Sequence, residues 1–355
     1  MRISRRSFLQ GLTIPSLAAL ATAGCGARTP RVVLYCAQDR EFADEVLGDF
    51  QKATGLAVAS KFDTEKDKSV SLYLELLKEK SRPRCDVFWN NEILMTLLLQ
   101  RQGMLEAYDS PAGRPYPAWA KAEDHTWHAF AGRARVLVVN TRLVGEGERP
   151  RGLLELTEPR WQGKVVMARP QFGTSSTQAA CLFEVLGPER AREYYRGLKA
   201  NGVQVAPGNK QVAEWVGQGR TPRGDVAAVG VTDTDDALGE IEVGQPVAMT
   251  FPDRERKGND RMGTLFIPNS LGILKGGPNP EGARRLVDYL LGPEVERRLA
   301  ESAGHQIPLN PEVTARLPAS LETPATAHAM RVDFGRAADL WEEVQAFLRQ
   351  EFAQG

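Results

Sequence analysis

The sequence predicts an α/β fold with two lobes, each a parallel-rich sheet flanked by helices. The chain has 355 residues, which is enough for about two domains at roughly 100–200 residues each. Apolar runs of strand length alternate with segments whose apolar residues have helical spacing. Such alternation is typical of parallel sheets covered by helices.

The first set of elements lies between residues 31 and 103. Phe42, Val46, Leu47 and Phe50 have helical spacing, and Gly55 is a helix stop signal. Strands and helices are predicted to alternate over VVLYCA, EFADEVLGDFQKATG, LAVASKF, DKSVSLYLELLKEK, CDVFW and NEILMTLLLQRQG, with Asn90 as the cap of the last helix.

The strand HAFAGRARVLVVNTRLV leads to a second set that begins near Trp161. The segment TLFIPNSLGILKG is interpreted as a strand pair, and residues 281–304 and 333–352 as mostly helical. We expect one lobe of residues 31–135 plus about 247–300, and a second of 136–246 plus about 301–355. The other predicted segments are the strands WQGKVVMARP, DVAAVGV and PVAMTFPD and the helices STQAACLFEVLG, PERAREYYRGLKANG and KQVAEWVGQG.

Residues 1–30 have the layout of an export signal, with a basic start followed by an apolar stretch from Phe8 to about Ala23. Arg5-Arg6 resembles the twin-arginine signal. Ala23-Gly24-Cys25 resembles a lipobox, although Thr22 stands where leucine is usual. The apolar run is shorter than the roughly 20 residues that a bilayer needs. We therefore expect an exported protein that is tethered by acylated Cys25 on the outer face of the membrane or in the periplasm.

The composition argues against several classes of protein. The 45 basic residues balance the 45 acidic ones, so there is no electrostatic reason to expect nucleic-acid binding. Beyond Cys25, three cysteines remain, Cys36, Cys85 and Cys181, and none belongs to a CxxC pair. We expect three buried thiols rather than disulfides or a zinc site.

Ligands of parallel sheets bind at the carboxyl ends of the strands, so the residues that follow each predicted strand are candidates for a cleft between the lobes. Arg135, Gln171 and Asn209 belong to this wider set. We expect Arg133 to reach the ligand and one of the two arginines to face solvent. The candidate ligand-binding residues are Gln38, Asp39, Asn91, Glu92, Arg133, Thr174, Ser175, Ser176, Thr232, Asp233, Asp235 and Asp236.

Two stretches carry most of this chemistry. VTDTDD places Asp233, Asp235 and Asp236 after a strand, where their oxygens suit a hard cation or an ammonium group. These aspartates could instead cap a helix. GTSST precedes a helix and offers N–H groups and hydroxyls to an anion, or serves as an ordinary N-cap.

Other candidates are weaker. Tyr194 and Tyr195 lie inside a predicted helix, where neighbours point about 100° apart, so a joint ligand role is not expected. An aspartate nucleophile at Asp233 with Asp235 as general acid would define a phosphatase. That motif usually lies near the N-terminus, whereas here it lies mid-chain. We therefore do not expect an enzyme.

The stretches VVLYCAQDREFADEVLGDFQKATGLAV, PRCDVFWNNEI, GRARVLVVNT, GLLELTEPRWQGKVVMARP and GTSST, in this order, resemble the periplasmic ferric-iron-binding proteins of ABC importers. The resemblance covers about residues 32–308. It implies the periplasmic-binding-protein fold, a monomer that works with a permease and an ATPase, and no resident cofactor. The transported ligand would be Fe(III) with a companion anion. The candidate metal ligands are Asp39, Glu92, Asp233 and Asp235, with Asn91 as the alternative to Glu92.

The sequence departs from that family where iron would bind. Two adjacent tyrosines usually follow the second-lobe strand, and Asp233 to Asp236 occupy this place here. A small organic zwitterion or a phosphonate is therefore the alternative ligand.

Overall fold

The computed structural model describes residues 31–63, 69–254 and 262–353. The predicted export leader and Cys25 lie outside the described residues. Over the described part of the chain, no helix is long and apolar enough to cross a membrane.

The described residues form ten strands and eleven α-helices. The strands are Arg31–Cys36 (β1), Ala57–Phe62 (β2), Val87–Asn90 (β3), Leu105–Glu106 (β4), Trp127–Asn140 (β5), Val165–Ala168 (β6), Gln204–Ala206 (β7), Val229–Asp233 (β8), Val247–Thr250 (β9) and Phe266–Leu274 (β10). The helices are Arg40–Thr54 (α1), Val70–Lys78 (α2), Leu94–Arg101 (α3), Gly173–Leu186 (α4), Pro188–Ala200 (α5), Asn209–Gln218 (α6), Thr234–Glu242 (α7), Pro280–Leu290 (α8), Pro293–Glu301 (α9), Phe334–Asp339 (α10) and Trp341–Glu351 (α11).

The strands follow the order β2-β1-β3-β10-β5-β8-β6-β7, with β4 on β10 and β9 on β5. β1 is parallel to β2 and β3, and β6 is parallel to β7 and β8. Each parallel set therefore directs the carboxyl ends of its strands to one edge.

Strand β5 joins the two parallel sets. Its first half pairs with β10 and its second half pairs with β8 and β9. All fourteen of its residues are buried. Along its second half, Val136 and Val138 pack into one core while Leu137 and Val139 pack into the other, as expected when alternate strand residues point to opposite faces.

The middle of β5 is irregular. Ala131 has φ 41°, and the register with β10 shifts between Pro268 and Asn269. The N–H of Ala131 donates to the buried carboxylate of Glu296 at 2.5 Å. The same carboxylate accepts the N–H groups of Leu309 and Asn310, so Glu296 fixes the bend at which β5 passes from one half of the molecule to the other.

Three sequence-based expectations about the elements are wrong. The predicted strand pair near residue 266 is the single strand β10, because its irregularity is a bulge and not a turn. Asn90 ends β3, and the N-terminal N–H groups of α3 are bound by Glu92 instead. Strand β9 pairs with the same half of β5 as β8 does, so residues 247–250 lie with the second unit, not the first.

The cysteine prediction is confirmed for the described residues. Cys36, Cys85 and Cys181 are free and buried. Burial raises the pKa values of the Cys85 and Cys181 thiols well above the usual range. These thiols stay protonated and pack as small apolar groups.

Candidate functional site

A cleft of about 490 Å³ lies at the carboxyl ends of both parallel sets. Its size is within the range of small-molecule sites. Most of its wall comes from the starts of α1, α4, α6 and α7 and from the ends of the preceding strands. The polar lining residues are Asp39, Glu41, Asn91, Arg133, Arg169, Thr174, Ser175, Asn209, Lys210, Gln211, Asp233, Asp235, Asp236 and Glu240.

Arg133 bridges the two sides of the cleft. Its Nη1 donates to the carbonyl of Asn91 at 2.8 Å, and its Nη2 donates to Oε1 of Gln38 at 3.0 Å. On the other side, its Nε lies 3.2 Å from Oδ2 of Asp235. Burial disfavours the charged guanidinium, but carboxylates outweigh that effect and raise the pKa of Arg133. They belong, in decreasing order of influence, to Asp235, Asp233, Asp39 and Asp236.

Arg135 lies behind the cleft wall that is formed by the end of β8 and the starts of α4 and α6. Its Nη1 lies 2.7 Å from Oδ1 of Asp233 and 3.0 Å from Oδ1 of Asn209. Longer contacts of 3.3 Å reach the hydroxyls of Thr174 and Ser175. One buried guanidinium thus holds β8, α4 and α6 together.

The expectation that one of the two arginines faces solvent is wrong, because each is only 2% exposed. Residues two apart in a strand point to the same face. Both side chains therefore reach the same side of β5, where the carboxylates lie.

Asp233 is fully engaged in this network. Its Oδ2 accepts the hydroxyl of Thr174 at 2.6 Å and Nδ2 of Asn209 at 3.0 Å. With the contact from Arg135, these bonds connect α4, α6 and β5 to one carboxylate. Asp233 also precedes the first residue of α7, but its side chain makes no capping hydrogen bond there.

Three helices begin at this wall, and their first turns are part of the lining. Gly173, the first residue of α4, has φ 54°, a conformation that other residues adopt only with strain. Helix α6 lies close to β8 because residue 230 is glycine: a Cβ there would meet Val212 at 2.5 Å. The first N–H groups of each helix lack intrahelical partners and favour negative charge.

The aspartates form a second feature of the same wall. Asp233, Asp235 and Asp236 each place one carboxylate oxygen within 4.8 Å of the other two. Oδ2 of Asp236 also lies 3.3 Å from the hydroxyl oxygen of Thr232. The cleft therefore has two characters, with carboxylates that favour a cation and helix starts that favour an anion.

The structure brings together eight of the predicted ligand-binding residues in the cleft lining: Asp39, Asn91, Arg133, Thr174, Ser175, Asp233, Asp235 and Asp236. Four others lie behind it or elsewhere. Gln38 is buried beneath Arg133. The hydroxyl of Thr232 donates to the carbonyl of Asn209 at 2.9 Å.

Ser176 and Glu92 have structural partners. Ser176 accepts Nε2 of Gln345 and Nε1 of Trp341, so it connects α4 to α11. Glu92 accepts two N–H groups of α3, Nδ2 of Asn90 and the hydroxyl of Thr177. Burial raises the pKa of Glu92.

Sequence reasoning missed Arg169 and Lys210, which also line the cleft. Arg169 directly follows β6, so the same rule that selects residues after strands would have found it. Lys210 is the second residue of α6. The sequence offers no comparable signal for Lys210, because the start of α6 could not be placed against β8 in advance.

One contact crosses the mouth of the cleft. Nε2 of His305 lies 2.5 Å from Oε1 of Glu242. Gly304 packs against Phe42 of α1, whereas Glu242 ends α7. This pair therefore links the first half of the molecule to the second.

The predicted exclusion of the tyrosine pair is consistent with this geometry. Tyr194 and Tyr195 are buried in α5, and their rings make an edge contact with each other. Burial raises the pKa of both hydroxyls. Neither tyrosine is among the residues that line the cleft.

Two sheets joined by a crossing strand, with a polar cleft at their carboxyl edges, define a solute-binding protein. Residues 94–333, more than half of the chain, match the family model described as bacterial extracellular solute-binding protein. The chain belongs to that family. It is the solute-binding component of an ABC importer, as the sequence predicts.

Among curated proteins, the chain is similar to the major ferric iron-binding protein of Neisseria meningitidis serogroup A. The two are 26% identical over 305 residues, which cover 84% of this chain and 87% of the relative. The iron uptake protein A1 of Synechocystis is 22% identical over 293 residues, covering 79% and 78%.

Solved structures confirm the predicted two-lobed α/β fold. Iron-bound HitA from Pseudomonas aeruginosa superposes with a TM-score of 0.79 at 20% identity, covering 91% of this chain and 99% of HitA. AfuA from Actinobacillus pleuropneumoniae, with exogenous fructose-6-phosphate bound, superposes with a TM-score of 0.77 at 22% identity, covering 92% and 99%.

Proposed function

We propose that the cleft captures Fe(III) together with a companion anion and delivers them to a membrane permease. The observation that carries this proposal is the convergence of carboxylates at the start of α7, where oxygens of Asp235 and Asp236 lie within 4.8 Å of each other, beside three helix starts. Relatives named as ferric iron-binding proteins support the choice of metal. Hard carboxylate oxygens suit a hard trivalent cation.

The metal ligands in this proposal are Asp39, Asp235 and Asp236. Asp39 comes from the start of α1, and the other two from the first turn of α7. Asp233 and Glu92 were also expected as ligands, but hydrogen bonds from several partners hold both of them. We assign Asp233 to positioning the wall and Glu92 to the start of α3.

The companion anion binds at the starts of α4 and α6. Thr174, Ser175 and Asn209 lie there, and Lys210 and Arg169 add positive charge. N–H groups at a helix start and a nearby ammonium group are a common anion site. Phosphate and citrate both fit this chemistry.

A small organic phosphate or phosphonate that carries an ammonium or several hydroxyl groups is the second candidate. Two observations favour it: Arg133 and Arg135 pair with two of the aspartates, and no tyrosine lines the cleft among the described residues. The structural neighbour AfuA was solved with fructose-6-phosphate. Such a ligand would place its phosphate at the helix starts and its other end at the aspartates.

Isothermal titration separates the two candidates. We expect heat from ferric citrate in phosphate buffer, and none from 2-aminoethylphosphonate or fructose-6-phosphate. The iron complex should have no visible tyrosinate charge-transfer band. Heat from either organic phosphate, with none from iron at any phosphate concentration, would reverse the assignment.

Matched variants locate the metal. Asp235→Asn with Asp236→Asn removes two ligands and should weaken iron binding at least a hundredfold. Asp225→Asn changes an exposed carboxylate away from the cleft and should leave the affinity unchanged. Equal affinities in all three proteins would rule out the aspartates as ligands.

The wider proposal concerns the location and working cycle of the protein. The leader exports the chain, Cys25 carries the lipid, and the protein acts as a monomer with a permease and an ATPase. The second lobe includes β9, and closure occurs about the bend in β5. Labelled palmitate should be incorporated into the protein but not into its Cys25→Ser variant. Neither protein should hydrolyse p-nitrophenyl phosphate.

A further inference from the structure

One end of the molecule carries a concentration of exposed positive charge. We name it the cationic pole. It lies at the amino ends of β1 and β3, opposite the cleft. Its members are Arg31, Lys80, Arg82, Arg84, Lys275 and Arg285, all exposed.

Hydrogen bonds and packing make the pole one continuous surface. Asn279 donates from Nδ2 to the carbonyl of Arg31 and from its backbone N–H to the buried carboxylate of Asp86. Gly276, next to Lys275, lies against Pro83. The loop of residues 79–86 and the loop of residues 275–279 therefore lie side by side.

Little negative charge opposes these cations. Among carboxylates of the described residues, none lies within 4.0 Å of Arg31, Lys80, Arg82, Lys275 or Arg285, while Arg84 is 3.8 Å from Glu79. Glu106 is engaged by Arg284. Glu281 is an exposed acid on this surface. Because the whole chain has no net charge, the local excess is a feature of this end.

The chain enters the described fold at this pole. Arg31 is the first residue of β1, and Cys25 precedes it by six residues, a span of at most about 20 Å. We propose that the cationic pole is a membrane-contact surface that binds anionic phospholipid headgroups. Its role in the cell rests on the exported, Cys25-tethered state proposed above, but the surface attraction itself does not.

Contact of this pole with the membrane would still allow the cleft to open and close. β1 has six residues, so about 20 Å of strand separates the pole from the cleft edge. The pole belongs to one half of the molecule only. The other half can therefore move about β5 while the pole stays on the membrane.

Vesicle sedimentation tests the surface without the lipid anchor. The processed chain beginning at residue 25 and carrying Cys25→Ser is mixed with vesicles of phosphatidylglycerol and phosphatidylcholine. We expect binding at low salt that is lost at 1 M salt, where the Debye length is about 3 Å, and no binding to phosphatidylcholine alone. Lys80→Gln, Arg82→Gln and Arg84→Gln together should reduce binding about a hundredfold, at roughly fivefold for each cation.

A matched control comes from the other half. Arg142, Arg220 and Arg223 are also exposed, and changing these three to Gln should leave vesicle binding unchanged. Equal losses in the two triple variants, or equal binding to phosphatidylcholine alone, would overturn the proposal. Titration of both variants with ferric citrate in phosphate should match the parent, so the lipid and ligand proposals fail separately.

Discussion

The Nε atom of Arg133 lies 3.2 Å from Oδ2 of Asp235, and this buried ion pair connects the two sides of the cleft. The same guanidinium donates to Asn91 and Gln38 on the first side. A ligand that binds the aspartates must therefore compete with, or share, a cation already built into the protein.

The stability of the empty protein should depend on that cation. Arg133→Met leaves neighbouring carboxylates without their countercharge, and we expect the free energy of unfolding in urea to fall by about 3 kcal/mol. Adding Asp235→Asn should restore part of the loss. The exposed Arg142→Met is the control, and an equal loss there would contradict an effect of buried charge.

The anion wall should depend on the hydroxyl of Thr174, which donates to Asp233 and accepts from Asn209. Thr174→Val keeps the shape but removes one hydrogen bond from the charged Asp233 and one from Asn209. We expect a loss of about 1–3 kcal/mol in unfolding free energy and weaker phosphate binding by titration. Thr141→Val, at an exposed position, should change neither quantity, and unchanged phosphate binding in Thr174→Val would argue against this wall.

Acid stability should report on His128. Burial, together with the charges of Lys121 and His125, lowers its pKa from 6.5 to about 4. As the pH falls, the unfolded chain therefore takes up this proton before the folded chain does. The contribution of neutral His128 to the free energy of unfolding is complete above pH 6.5 and is lost as the pH falls toward 4. The complete loss of unfolding free energy from this one group is about 3 kcal/mol.

The measurement is the slope of unfolding free energy against pH between these values. His128→Gln should flatten the slope, whereas His328→Gln should preserve it. A slope unchanged in His128→Gln would assign acid sensitivity to other groups.

Closure should depend weakly on the contact between His305 and Glu242 across the cleft mouth. Glu242 is about half exposed, and such pairs contribute little. Glu242→Gln should therefore lower ligand affinity by about twofold to fivefold and increase the radius of gyration in small-angle scattering. Glu146→Gln, on a distant exposed turn, is the control, and equal scattering from all three proteins would exclude a role in closure.

Much of the fold could be predicted from sequence because local signals agreed with it. Gly55 stops α1 in the left-handed conformation, as its position indicated. Strand ends led directly to Asp39 and Asp235 in the cleft. These predictions needed only periodicity and the direction of parallel strands.

Side-chain partners could not be predicted in the same way. Glu92 follows a strand just as Asp39 does, yet Thr177 on a distant helix and the start of α3 bind its carboxylate. Ser176 looked like part of an anion site, but α11 packs on it from about 170 residues away. Such contacts depend on tertiary packing between segments with no local signal in common.

Strand β5 has a consequence for how the molecule melts. Both sheets contain part of it, and its fourteen residues are buried throughout. Neither sheet can lose this strand without exposing the core of the other. The two halves should therefore denature as one cooperative unit, with a calorimetric enthalpy equal to the van't Hoff enthalpy, although the proposed closure about the bend in β5 would move them separately.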